Sequence, residues 1–172
     1  DIADEGNLAA AERLRGLDAF RTELDHIAIR GAGRREAPLF AELGRVIAAH
    51  RLPMEPFFDL LDAFEQDVTT KRYANFDALL DYCRRSANPV GALMLHLYGA
   101  ATRENLRDSD RICTALQLVN FWQDVRIDWD KGRVYIPAED LARFAVPESQ
   151  IARGDAGGAW TALMRFEVER AA

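Results

Sequence analysis

Apolar residues recur at helical intervals along nearly the whole chain, and no stretch alternates convincingly as a half-buried strand would. The segment Leu8–Arg30 carries Leu14, Leu17, Leu24 and Ile27 at such intervals until Gly31-Ala32-Gly33 interrupts it. Pro38–Arg51 places Leu39, Leu43, Val46 and Ile47 on one face and stops at Leu52-Pro53. Pro56 suits the first turn of a third helix, through Phe57, Leu60, Leu61 and Phe64 to about Val68. Asn75 or Asp77 starts a fourth, running through Leu80, Tyr82 and Cys83 to the interruption Ser86-Ala87-Asn88-Pro89. The pattern resumes over Val90–Leu106, with Leu93, Leu95, Leu97 and Tyr98. Asp108 or Ser109 then caps a long helix that ends near Gly132. An extended connector, Arg133–Pro137, leads to short helical pieces and a last helix from Ala159. The expectation is an all-α fold with helices packed around a central cavity, in a single domain over residues 1–172.

The long helix holds the chemistry. Asn120, Asp124 and Asp128 recur every fourth residue. At about 100° per residue they share a sector of roughly 80°, which also takes in Gln117 and Lys131. Carboxylates at i,i+4 repel and cost the helix a few tenths of a kcal/mol, roughly. A cation between them turns that cost into a binding site. Two carboxylates and an amide are hard oxygen ligands, suited to Mg²⁺, which keeps several waters and bridges to phosphates.

A solvated helix face is the alternative for such a stripe. Against it, Ala115, Leu118, Trp122, Val125 and Trp129 cover the opposite side, with Leu116 and Ile127 on one edge and Phe121 on the other. Gln123, Arg126 and Asp130 already supply a second, mixed-charge stripe. Two polar stripes separated by apolar walls fit a helix buried on most sides, with the acidic one lining a cavity.

Three further segments stand out. Asp1, Asp4 and Glu5 form an acidic cluster, which in isolation reads as an ordinary complement to a helix dipole. In Tyr82–Gly91, the Asn-Pro pair breaks or bends the helix among small residues. Packing accounts for many such bends; beside a substrate channel, Tyr82 would supply a hydroxyl and Ala87, Val90 and Gly91 an apolar wall. Lys131 and Arg133, straight after the acidic helix, place cations where a diphosphate leaving group needs them, or simply balance a helix C-terminus.

Composition narrows the classes. A net charge of −6 and a pI near 5.1 argue against nucleic acid as the main partner. No apolar run approaches the ~18 residues of a membrane span. Cys83 and Cys113 stand apart without a metal or redox spacing, as reduced thiols of a cytoplasmic protein do. His26, His50 and His96 share no ligand spacing. The chain opens on Asp1 and closes inside a helical pattern, so both ends read as cut.

Together these motifs resemble the squalene/phytoene synthase family. Asn120–Pro137 resembles its second aspartate-rich signature, N-x-x-x-D-x-x-x-D followed by G-R-x-Y-x-P. Tyr82–Gly91 sits where the family carries Y-C-x-x-x-A-x-x-V-G, and Asp1–Glu5 looks like the tail of its D-D-x-x-D motif. The variant S-A-N-P-V-G is similar to the bacterial hopanoid-pathway branch of squalene and hydroxysqualene synthases. The resemblance implies an isoprenoid synthase fold, with Asp1 and Asp4 holding Mg²⁺ on one cavity wall and Asn120, Asp124 and Asp128 on the other. It implies Tyr82 beside the reacting carbons and Gln117 at the carbocation or diphosphate end. It also gives Ala87, Val90 and Gly91 lining a prenyl tunnel, and Arg133 and Tyr135 touching diphosphate. The first aspartate of D-D-x-x-D, an upstream arginine segment and the C-terminal helices fall outside this sequence, so this piece alone is expected to be inactive.

The activity implied is Mg²⁺-dependent ionisation of presqualene diphosphate to hydroxysqualene, without NADPH. The alternative is head-to-head condensation of two farnesyl diphosphates to presqualene diphosphate or squalene, or of geranylgeranyl diphosphates to phytoene. A third reading, a non-catalytic family member, would show degraded aspartates, and Asp4, Asn120, Asp124 and Asp128 are all present. Apolar substrate and product imply peripheral contact with the inner membrane. The sequence carries no signal for an oligomeric state.

Overall fold

Helix follows helix through the computed structural model, which describes residues 8–171. The elements are α1 (Ala10–Arg30), α2 (Pro38–His50), α3 (Glu55–Thr69), α4 (Phe76–Ser86) and α5 (Asn88–Leu97). After them come α6 (Arg103–Gln123), α7 (Val125–Asp130), α8 (Ala138–Arg143), α9 (Glu148–Ala152) and α10 (Ala159–Ala171). Among the described residues there is no strand, only an isolated parallel bridge between Arg72 and Val134.

The chain divides into two compact units. One comprises residues up to Thr69 with Arg85–Asp110; the other comprises Thr70–Arg84 with Arg111–Ala172. In the first, Leu17, Leu24 and Ile27 of α1 pack with Phe40, Ile47, Leu52 and Leu61. Phe20 meets Phe40 edge-on at 5.1 Å. Arg21 ties α1 to α3 through Glu65 at 2.9 Å and Asp62 at 2.5 Å. Gly31 ends α1 with φ 71°, a left-handed turn that glycine adopts without steric cost. Beyond it the chain crosses α2 so closely that a Cβ on Gly33 would lie 2.0 Å from the Phe40 carbonyl oxygen.

That close approach corrects one position of the expected face of α2, on which Ile47 is buried and Leu43 and Val46 pack against the core. Leu39 is 65% exposed, while Phe40, Gly44 and Ile47 are buried, because the loop crosses α2 at Phe40 and Gly44. The expected helix over 90–106 is also corrected. α5 ends at Leu97, Gly99 turns left-handed at φ 66°, and the Thr102 hydroxyl accepts the Asn105 N–H at 3.1 Å to start α6. The helix break before Pro89 stands as expected, with Pro89 in the first turn of α5, where its missing N–H costs nothing.

In the second unit, Leu79, Cys83, Leu118, Ile136 and Leu163 are all at most 2% exposed. Residues 71–75 and 133–139 run side by side. Val134 donates to the Lys71 carbonyl at 3.0 Å, Ala138 to Tyr73 at 2.9 Å and Glu139 to Ala74 at 3.1 Å. The Glu139 carboxylate in turn accepts the Phe76 N–H at 2.8 Å, at the start of α4.

Candidate active site

The acidic stripe lies on two helices rather than one. At Asp124 the backbone leaves the helical range for φ −97° and ψ 13°, the sparsely populated region where active-site residues often sit. The hydrogen-bond ladder still spans the point, since Asp124 donates to the Asn120 carbonyl at 2.9 Å and Asp128 to the Asp124 carbonyl at 2.8 Å. Asp favours helix starts over interiors, and here it stands at the N-cap of α7. Its side chain makes no cap bond, so the carboxylate is not consumed by the backbone.

Asn120 and Asp124 are exposed, and Asp128 and Gln117 are half-buried. One wall of the stripe is buried, by Phe121 and by Leu118 and Trp122 behind it. The other is open: Ile112, Leu116 and Ile127 are 56–60% exposed, so burial on most sides does not hold. Among the described residues, no three His, Cys, Asp or Glu side chains gather into a complete metal set. The donors present suit an ion that takes water and phosphate oxygens for its remaining places, as Mg²⁺ does.

Gly132 closes α7. At φ 75° it lets the Gly132 N–H reach the Trp129 carbonyl and the Arg133 N–H reach the Asp128 carbonyl, both at 2.8 Å. This is a Schellman cap. It turns the chain back so that Arg133, only 8% exposed, follows directly on the Asp128 backbone. Lys131 remains exposed.

The connector then delivers Tyr135 into an aromatic cluster. Phe121 and Tyr135 stack at 3.8 Å; Tyr82 and Tyr73 lie 6.0 and 5.7 Å from Tyr135. Each of the four is at most 8% exposed. Tyr82 was expected beside the reacting carbons and Tyr135 at the diphosphate, neither in an aromatic cluster; Tyr73 was not singled out. Its signal is the run Arg72-Tyr73-Ala74-Asn75-Phe76, an arginine and two aromatics immediately before a helix cap.

Ala87, Val90 and Gly91 belong to the first unit, around the α4–α5 break. Val90 is 48% exposed and the other two are half-buried. Asp1 and Asp4 lie outside the described residues. A cavity of about 240 Å³ in the second unit opens on the far side of α6 and α7, lined by Trp122, Val125, Ile151, Trp160 and Met164 among others. It is separate from the acidic stripe.

Comparison with known proteins shows the family and the fold. The family model described as squalene/phytoene synthase matches residues 1–172, both units included. A phytoene synthase of Mycobacterium tuberculosis is 33% identical over 100% of this chain and 56% of its own length. A hydroxysqualene synthase of Sinorhizobium fredii is 39% identical over 83% of this chain and 47% of its own. The crystal structure of a squalene synthase from Alicyclobacillus acidocaldarius superposes with a TM-score of 0.88 at 38% identity, covering 99% of this chain and 63% of that one. The chain thus spans about half the length of the curated relatives it matches.

Proposed function

Because the chain belongs to the squalene/phytoene synthase family, we propose that its parent protein is a Mg²⁺-dependent isoprenoid synthase that converts presqualene diphosphate to hydroxysqualene. The observation that carries the reading is the continuity of oxygen donors and aromatic rings. Asn120 and Phe121 are neighbours on α6, and the Gly132 cap leads from Asp128 through Arg133 to Tyr135, which stacks on Phe121. A leaving-group site and a cation-tolerant wall are therefore built from the same short stretch. The hydroxysqualene synthase relatives favour this branch.

In the reaction proposed, the carbon–oxygen bond to diphosphate breaks, the cyclopropylcarbinyl cation opens its three-membered ring, water adds to the resulting carbocation and a proton is released. Mg²⁺, when bound in several ions, would supply neutralising charge for the leaving group. Asn120, Asp124 and Asp128 would hold it by their oxygens, with Asp1 and Asp4 as further ligands. Lys131 and Arg133 add positive charge for the departing oxygens. Phe121, Tyr135, Tyr82 and Tyr73 offer π faces to developing carbocation charge. Gln117, a turn ahead of Asn120 on α6, would sit at the carbocation or diphosphate end. Ala87, Val90 and Gly91 supply apolar wall for the prenyl chain, which shelters the cation from premature water attack.

No NADPH enters this step. Among the described residues no helix is long and apolar enough to cross a membrane. The parent protein is read as cytoplasmic, and an apolar substrate and product favour peripheral contact with the inner membrane. The one family match over the whole chain is the ground for treating both units as parts of one synthase domain.

A second reading, head-to-head condensation of farnesyl or geranylgeranyl diphosphates, is favoured by phytoene synthase relatives that match the full chain. The test is to incubate the complete parent protein with Mg²⁺ and presqualene diphosphate, without NADPH, and to identify products by mass spectrometry. Hydroxysqualene supports the first reading. Consumption of farnesyl or geranylgeranyl diphosphate with presqualene diphosphate left untouched moves the assignment to condensation. Inertness of the folded protein towards all three points to a non-catalytic member.

A further inference from the structure

A helix that bends within its ligand stripe does not by itself fix the spacing of its ligands. Asn120 lies on α6, Asp124 at the junction and Asp128 on α7, a helix of six residues. Whatever holds the far end of α7 sets where Asp128 stands relative to the other two. Arg72 does so from outside the helix. Its Nη1 donates to the Gly132 carbonyl at 2.6 Å, at the cap of α7. Its Nε and Nη2 donate to the two oxygens of Glu148, at 2.7 and 2.9 Å, in the first turn of α9. The guanidinium carbon also sits 5.8 Å from the centre of the Trp129 ring of α7.

The arrangement is directional. Arginine's planar fork satisfies a carboxylate with two donors and still has a third for the carbonyl, which lysine's ammonium does not match. The same residue bridges to Val134, and Val134 donates to the Lys71 carbonyl, so the segment that leads to Tyr73 is fixed with it. At the other end of α7, Arg126 pairs with Asp130 and donates to the Ala152 carbonyl at 3.2 Å, so α9 braces α7 along its length.

We propose that Arg72, backed by Glu148, is the positioning residue of the acidic stripe: it sets the angle of α7 at Asp124 and so the separation of the Asp128 and Asp124 carboxylates. It touches no ligand itself. The inference rests on the Mg²⁺–diphosphate reading of the stripe. Partners of this kind, one step behind metal ligands, typically change metal affinity by about 10–100-fold when lost.

The test uses the complete parent protein with Mg²⁺ and inorganic diphosphate, read by thermal shift. Half-saturating Mg²⁺ is measured at fixed diphosphate for wild type, Arg72→Lys, Glu148→Gln and Asp124→Asn. The expected result is that Arg72→Lys raises the half-saturating Mg²⁺ about ten-fold or more. Glu148→Gln, which keeps the Gly132 bond, moves it in the same direction by less. A lowered Tm without Mg²⁺ but an unchanged Mg²⁺ midpoint makes Arg72 merely structural and overturns the proposal. Should Arg72→Lys not fold, Glu148→Gln decides, and an unmoved midpoint there overturns it equally. If Asp124→Asn leaves the Mg²⁺ response of the protein intact, the reading of the stripe itself fails, and the inference falls with it.

Discussion

Phe121 and Tyr135 stack almost face to face, with centroids 3.8 Å apart and planes within 8°. One belongs to the last turns of α6, the other to the connector that follows the Schellman cap of α7. The pair therefore closes a loop in space around Asp124 and Asp128, and the side chains that shape the acidic stripe also shape the aromatic wall beside it. Stacked pairs contribute about 0.5–1.5 kcal/mol beyond their buried area. A double-mutant cycle with Phe121→Leu and Tyr135→Leu, followed by denaturant unfolding, is expected to return a coupling of about that size. Additive single effects would show that the rings are neighbours without being partners.

Gly132 is required for its backbone and not for space. A Cβ there meets nothing within 4 Å, yet φ is 75°. Gly132→Ala should cost about 1–2 kcal/mol through the left-handed strain alone. Gly132→Asn should cost less, since Asn visits this region more readily. Unfolding midpoints of the two variants check the order.

Glu167 gives the protein a pH dependence near neutrality. Fully buried on α10, its carboxyl is pushed up from the usual 4.5 to about 7, chiefly by burial, with the neighbouring Asp140 adding to it and Arg170 opposing it. Arg170 meets Glu167 at 2.5 Å and Asp140 at 2.7 Å, and its guanidinium lies over Phe76. The folded state then binds more protons than the unfolded one between pH 4.5 and about 7. Stability from this group is full at the acid end of that window and falls as pH rises through it. Glu167→Gln should flatten this part of the Tm-versus-pH curve and raise Tm at pH 8 relative to wild type. An unchanged slope contradicts the assignment.

The two cysteines should differ in reactivity. Cys83 is 0% exposed and burial pushes its thiol up to about 12, whereas Cys113 is only half-buried. The thiolate is the reactive form, so native protein at pH 8 is expected to take up one maleimide at Cys113, and both sites should react after unfolding. Peptide mapping of the labelled protein distinguishes the sites.

Much of this was legible from local signals. The Gly31 stop, the Pro89 break and the Gly132 cap each rest on a residue whose own backbone preference dictates the outcome. On α2, Leu43, Val46 and Ile47 pack in the core as their spacing implies, but Leu39 and Phe40 are equally apolar and only the crossing loop at Gly44 decides that Phe40 is the buried one. The start of α6 was placed too late, since Asp108 and Ser109 are good caps that the longer helix simply overrides from Thr102. The spacing of Asn120, Asp124 and Asp128 gave the stripe but not its bend, which i,i+4 periodicity does not register. Arg72 and Tyr73 escaped because their partners, Gly132, Glu148 and Tyr135, lie about sixty or more residues away in sequence.

On the proposed function, Asp124, at the junction of α6 and α7, would hold Mg²⁺ beside the departing diphosphate. Single-turnover release of diphosphate from presqualene diphosphate, by complete wild-type protein and by Asp124→Asn at saturating Mg²⁺, tests it most directly. The variant is expected to lose at least about a hundred-fold in rate, with its unfolding midpoint little changed. Release by a folded Asp124→Asn protein at the wild-type rate would contradict it.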